Sequence, residues 1–341
     1  MPKISEKKTI LVSGGAGFIG SHLCEKLLKT CNVICVDNFI TSSELNIDLL
    51  LKYPNFVFLR HDICEPLDLE KFPELEQFKI KFFGIQEIYH LACPTSAKNF
   101  EKYKVQTLLT NFLGTKNMLD LASKYKAKFL FASSSVVYGP RRADDILLEE
   151  DDLGEKVNQL SPRACYDEGK RFAESTVAIY GKVFDLDFKI ARIFRTYGPK
   201  ERLFDGEMIP DFVIDALDNK DLVIYGDENF STSLCYVSDV VDGLIRLMAA
   251  PSGIGPVNLG SDQDLKLVEV ANKIIEMAGS SSKIIFEPPL LFMTPLSLPN
   301  IRKATELLGW MPLVRLEDGL QKTINYIQAH KPLLRAQVNK G

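Results

Sequence analysis

Near its N-terminus the chain runs Lys8-Thr9-Ile10-Leu11-Val12 straight into Ser13-Gly14-Gly15-Ala16-Gly17-Phe18-Ile19-Gly20, then Ser21-His22-Leu23. An apolar strand that ends in a glycine turn and opens a helix starts a β-α-β unit, and such units build parallel sheets. The turn is spaced Gly-x-x-Gly-x-x-Gly, through Gly14, Gly17 and Gly20. Glycines there let the backbone approach a pyrophosphate, and the first helical amides with their dipole bind its charge. Gly14, Gly17, Phe18, Ile19 and Gly20 are therefore expected to hold the phosphates of a dinucleotide.

The rest of the first half repeats the pattern. Short β-branched runs at Thr9–Ser13, Val33–Asp37, Phe56–His61, Glu87–Ala92, Lys128–Ser133 and Phe188–Ile193 alternate with amphipathic stretches such as Gly17–Thr30, Tyr103–Tyr125 and Ala164–Val183. Six strands with crossover helices predict an α/β fold, a doubly wound parallel (Rossmann) sheet. After Thr196 glycine and proline break the pattern, which suggests a smaller, interleaved α/β substrate domain. The expected division is 1–195 plus 234–262 for the sheet domain, 196–233 plus 263–333 for the second, and 334–341 as a tail. Leu69–Gly84 reads as an inserted loop or short helix.

The second strand ends in Asp37-Asn38. Asp37 lies where an acid meets the adenosine ribose hydroxyls, and its charge would repel a 2′-phosphate, so NAD is favoured over NADP. Asn38, Asp62-Ile63 after the third strand, and His90-Leu91-Ala92 at the end of the fourth fall where adenine and ribose contacts belong. A net charge of -4 argues against a nucleic-acid binder. The acidic run Glu149–Asp152 and the pair Arg141-Arg142 read as a solvated loop. Seven scattered cysteines without a Cys-x-x-Cys pair predict free thiols in a reducing, cytoplasmic compartment. Four histidines without ligand spacing give no metal site. Lys3, Glu6, Lys7 and Lys8 before a short strand do not make a signal peptide, and no apolar run is long enough to span a membrane.

Of the eleven tyrosines, Tyr166 alone has lysine four residues on, so Tyr166 and Lys170 share a helix face. An ammonium beside a phenol favours phenolate, which can take a hydroxyl proton while hydride leaves the same carbon. Ser133-Ser134-Ser135 closes a strand and can set a hydroxyl beside that phenol.

Together these elements resemble the extended short-chain dehydrogenases (the NAD-dependent epimerase/dehydratase family), over nearly the whole chain. Tyr236-Val237-Ser238-Asp239-Val240, Val257-Asn258-Leu259-Gly260, Lys303-Ala304 and Leu308-Gly309-Trp310 with Pro312 carry the likeness further. The run from Pro162 through Tyr166 to Arg171, then Ala191-Arg192-Ile193-Phe194 with Gly198-Pro199, is most similar to the UDP-glucuronate decarboxylases. The resemblance implies Tyr166 as base, Lys170 as its partner and Ser134 as the substrate-bonded hydroxyl. Tyr166 and Lys170 would also touch NAD, and Arg195 and Tyr225 are further candidate substrate contacts. It implies a nucleotide sugar, most simply a UDP-sugar, as substrate. It also implies a homodimer through Tyr103–Tyr125 and Ala164–Val183.

This chain departs from that subgroup. Val136 stands where the decarboxylases carry a glutamate, Arg195 where they carry asparagine, Thr232 and Ser297 where they carry arginines, and Asp211 where they carry asparagine. Arg195 is expected to take over diphosphate binding, with an ion pair to an acidic neighbour such as Asp205 as the structural alternative. The shared chemistry is oxidation at C4 of the sugar. Decarboxylation follows if the sugar carries a C6 carboxylate; otherwise the site supports a 4-epimerase or 4-dehydrogenase. A non-catalytic NAD-binding sensor is the reading from another class, and it would have no use for the phenol.

Overall fold

The computed structural model describes residues 7–141, 147–154, 158–289 and 297–338, with the side chains of 97, 98, 337 and 338 left aside. Lys3, Glu6, Arg142 and residues 339–341 lie outside the described residues. Seven parallel strands form the main sheet: β1 (Thr9–Ser13), β2 (Asn32–Asp37), β3 (Phe56–Arg60), β4 (Glu87–His90), β5 (Lys128–Ser134), β6 (Phe188–Ile193) and β7 (Pro256–Leu259). Their spatial order is β7-β6-β5-β4-β1-β2-β3. Six match the expected runs to within two residues at either end, and β7 adds a seventh beside β6.

Alternation within each strand feeds two cores. Ile10, Val12, Val33 and Cys35 pack on one face, while Leu11, Ile34 and Val36 pack on the other. Helices cover both faces, so these strands are buried throughout. Each such side chain contributes roughly 1.5–3 kcal/mol on leaving water. The helices used below are α1 (Phe18–Leu27), α2 (Lys104–Leu109), α3 (Thr115–Tyr125), α4 (Ala164–Phe184), α5 (Met208–Leu217), α6 (Val237–Ala249) and α7 (Leu316–Val338). A π-helical turn, Thr110–Gly114, joins α2 to α3.

The 69–84 insertion forms two 3-10 turns and a single helical turn. It holds Leu69, Leu75, Phe78 and Ile80 in the second core. Beyond β6 lie three two-stranded sheets, one of which pairs Ile284–Glu287 with Leu222–Tyr225. Helix α7 runs into the stretch expected as a tail, as far as Val338, and its Leu334 is buried. The acidic run is no free loop either. The Glu150 side chain accepts from Asn258 N at 2.8 Å, and Arg141 pairs with Asp264 at 2.9 Å. Strand β7 gains from that cover, because among the described residues no strand pairs with its outer edge in the sheet.

Candidate active site

One cleft of about 1220 Å³ runs along the C-terminal ends of the strands. Single-ligand pockets measure roughly 300–1,000 Å³, so it has room for two ligands end to end. At its first end the glycine turn is packed too tightly for side chains. Gly14 has φ +73°, and a Cβ there would sit 2.7 Å from Ala92 Cα. A Cβ on Gly20 would collide with the Gly14 carbonyl oxygen. No side chain caps α1, and Gly17, Phe18, Ile19 and Gly20 line the cleft at its first turn. The helix end therefore presents amides and dipole to an anion.

Asp37 sits at the tip of β2, buried and facing this end. Its carboxylate accepts from Ser42 Oγ at 2.7 Å, Phe39 N at 2.9 Å and Ala16 N at 3.1 Å. Burial raises its pKa, against the pull of those donors. Asn38 Nδ2 donates to Asp62 at 3.2 Å, and Asn38, Asp62, Ile63, Leu91 and Ala92 all line the cleft. These residues fit a dinucleotide: a glycine cradle, an uncapped helix and an acid one strand over. His90 lies instead beneath the turn, bonded to Ser13 Oγ at 2.7 Å and Thr115 Oγ1 at 3.1 Å. It belongs to the core, since its side chain points into the sheet packing and not beyond the strand end.

At the middle of the cleft Ser134 ends β5 and faces α4. Its neighbour Ser133 is committed elsewhere, donating to Glu174 at 2.5 Å, and Glu174 is in turn held by Arg192. The Ser134 hydroxyl accepts from Val136 N at 3.4 Å and lies close enough to the Tyr166 phenol to favour its ionised form. Phe100 stacks on Tyr166 at 4.8 Å, and the Arg163 guanidinium lies 5.6 Å from the Phe100 ring. Neither residue was among the expected ones. Arg163 lay in the quoted run, but nothing in the sequence marks Phe100.

The Tyr166–Lys170 relationship differs from the expected one. Lys170 Nζ donates to the Ala132 carbonyl at 2.8 Å and lies 5.8 Å from the phenol ring centre. Burial pushes the phenol well above its ordinary range, with Cys93 adding and the Ser134 bond opposing. Burial also lowers the Lys170 pKa. Desolvation is the largest influence on each of the two groups.

Past the phenol, Arg195 leaves the end of β6 and lines the cleft with Tyr225. Among the described residues no ion pair joins Arg195 to Asp205, which accepts instead from Asn99 Nδ2 at 3.0 Å. Burial lowers the Arg195 pKa, with Glu207 and Glu201 opposing. Val136 is packed with Phe100, Cys165 and Tyr166, so apolar surface fills the place of the family acid. Thr232 and Ser297 are buried outside the lining, whereas Asp211 lines it. Among the described residues no group of histidine, cysteine or carboxylate side chains could hold a metal by itself.

UDP-glucuronic acid decarboxylase 1 of Xenopus tropicalis is 40% identical over 324 residues, 95% of this chain and 73% of that protein. UDP-glucuronic acid decarboxylase 3 of Arabidopsis thaliana is 39% identical over 91% of this chain and 86% of its own length. Among solved structures, the UDP-glucuronic acid 4-epimerase of Bacillus cereus, with UDP-glucuronic acid and NAD, superposes with a TM-score of 0.81. It is 30% identical, covering 94% of this chain and 99% of that one. Residues 10–260 match the family described as NAD dependent epimerase/dehydratase. With the dinucleotide cradle, the Ser-Tyr-Lys cluster and this match in agreement, the chain belongs to the NAD dependent epimerase/dehydratase family.

Proposed function

We propose that this chain decarboxylates UDP-glucuronate to UDP-xylose through transient oxidation at C4. The chain is an NAD-dependent, nucleotide-sugar-modifying enzyme of its family. The finer reading is carried by one observation: relatives named as UDP-glucuronic acid decarboxylases align over more than nine-tenths of the chain. The cleft geometry supports it. Gly14, Gly17, Phe18, Ile19 and Gly20 would hold the pyrophosphate of NAD, Asp37 and Asn38 the ribose, and Asp62, Ile63, Leu91 and Ala92 the adenosine side. Bound there, NAD supplies the acceptor, and later the donor, of one hydride.

Tyr166 accepts the C4 hydroxyl proton, with Ser134 bonding the same oxygen. Lys170, tied to β5, fixes the helix that carries the phenol and adds positive potential beneath it. With C4 at the ketone level a C6 carboxylate becomes a β-keto acid; the C5–C6 electron pair passes toward the ketone oxygen as carbon dioxide leaves, and C5 then takes a proton from water, which restores the C4 ketone. Tyr166 returns its proton when C4 is reduced again. Arg195 takes the diphosphate and Tyr225 lies at the nucleotide end.

We assign 1–195 plus 234–262 to the cofactor and 196–233 plus 263–333 to the substrate. The exposed apolar faces of α2 and α4 support a homodimer, and seven free cysteines support a cytoplasmic setting. No described helix is long and apolar enough to cross a membrane. The second reading is a 4-epimerase, favoured by Val136, which supplies no acid beside C5.

Incubation with UDP-glucuronate and NAD, followed by mass spectrometry, tests the proposal. Loss of one carbon dioxide is expected. Unchanged mass with an inverted C4 by NMR selects the epimerase, and no turnover of any kind refutes both.

A further inference from the structure

We propose that Glu201 and Glu207 are positioning residues for Arg195, holding one edge of its guanidinium so that the other edge meets the diphosphate of the nucleotide sugar. The inference rests on the reading of Arg195 as the diphosphate cation.

Ile193 pairs with Ser134 across β6 and β5, so Arg195 leaves the sheet beside the Ser134 end. Its guanidinium makes no hydrogen bond or ion pair among the described residues, yet it stands in a carboxylate-rich wall. Glu207 acts on it most strongly among the acids, then Glu201, while Arg163 repels it. Of the other two acids nearby, Asp211 already accepts from Phe204 N at 2.7 Å and Asp205 from Asn99 at 3.0 Å.

Glu201 is only 9% exposed, lines the cleft, and its Oε2 has no hydrogen-bond partner. A buried carboxylate oxygen left unpaired is costly, so its donor is expected to arrive in the working state. Arg195 is the cation that favours its ionised form, against burial and the charges of Glu207 and Asp211. Glu207, at the N-terminal boundary of α5, caps no amide with its side chain. Glu201 Oε2 and the Glu207 side chain are thus available to a group with five donors in a planar fork, with which they share the cleft wall. A guanidinium gripped by carboxylates on one edge keeps its far edge aimed, which a free side chain would not.

The alternative is that the acids merely repel a diphosphate, and the two ideas predict opposite signs. Calorimetric titration of UDP into the NAD-loaded protein, in EDTA, distinguishes them. R195A should weaken UDP binding about tenfold or more. E201Q and E207Q should each weaken it severalfold, E201D should recover part of the loss, and R195A/E201Q should bind no worse than R195A. Tighter or unchanged binding in E201Q and E207Q, while R195A binds weakly, overturns this proposal alone. No effect of R195A overturns the Arg195 assignment and this proposal with it. Binding that appears only on adding magnesium also overturns it, since the acids would then be serving a metal.

Discussion

Lys170 Nζ donates to the carbonyl oxygen of Ala132, two residues before Ser134, at 2.8 Å. That bond ties α4 to β5 and sets Tyr166 over the Ser134 hydroxyl. The lysine thereby fixes the phenol's place as well as its potential. Removal of the phenolic oxygen alone, Tyr166→Phe, should lower kcat by about 10²–10⁴-fold, far more than it weakens NAD binding. Equilibrium NAD titration alongside steady-state turnover checks this. A variant with near-normal kcat would show that another group takes the proton.

Asp37 satisfies two backbone amides and one hydroxyl while facing the cleft. Asp37→Ala should therefore have three effects. NAD should bind about tenfold or more weakly, as expected for lost bonds to a charged acceptor. Preference over NADP should shrink, because the repelling charge is gone. Stability should also fall by about 1–3 kcal/mol, since buried amides lose their acceptor. Titrations with both dinucleotides and denaturant melts measure the effects separately.

The sheet was legible because each strand carries an apolar run buried on both faces, between glycine-rich or polar breaks. Tyr166, Lys170 and Asp37 were legible because local spacing fixes their faces. The segments around Asp239 and Trp310 could be quoted but not connected. In the fold Trp310 Nε1 donates to the Asp239 carbonyl at 2.8 Å, so their likeness to the family is architectural. Phe100, Glu201 and Glu207 left no trace because each reaches the cleft through tertiary packing, outside any local period. The phenol pKa stands above its ordinary range, and not below it as expected, for a related reason. Burial, which decides both pKa directions, is a property of the assembled cleft.

His90 gives a pH-dependent prediction. Burial, with the charge of Lys170 adding to it, pushes its pKa down from 6.5 to about 3. The unfolded chain then binds a proton that the folded chain refuses between those values. Stability from this group is complete above pH 6.5 and is lost as pH falls toward 3. The slope is about 1.4 kcal/mol per pH unit. His90→Gln should lower stability at pH 7.5 but flatten its fall between pH 6.5 and 4. Urea melts across that range check it, and an unchanged slope would exclude His90 as the source.

The homodimer proposal rests on a surface that a lone chain has little reason to keep. On α4, Phe172, Ile179 and Val183 are 52%, 60% and 67% exposed, at spacings of seven and four that set them on one face. Phe112, in the π-helical turn, meets Phe172 edge-on at 5.5 Å, so the stripe continues onto the adjoining helix. A twofold axis across this face would bring each stripe against its own copy, and the interface would be self-complementary. One substitution then enters twice: Ile179→Glu places two carboxylates in the contact. Sedimentation at micromolar concentration should give a dimer for the native chain and a monomer for Ile179→Glu, with NAD binding retained. A native chain that sediments as a monomer would remove the dimer, and the apolar stripe would need another occupant.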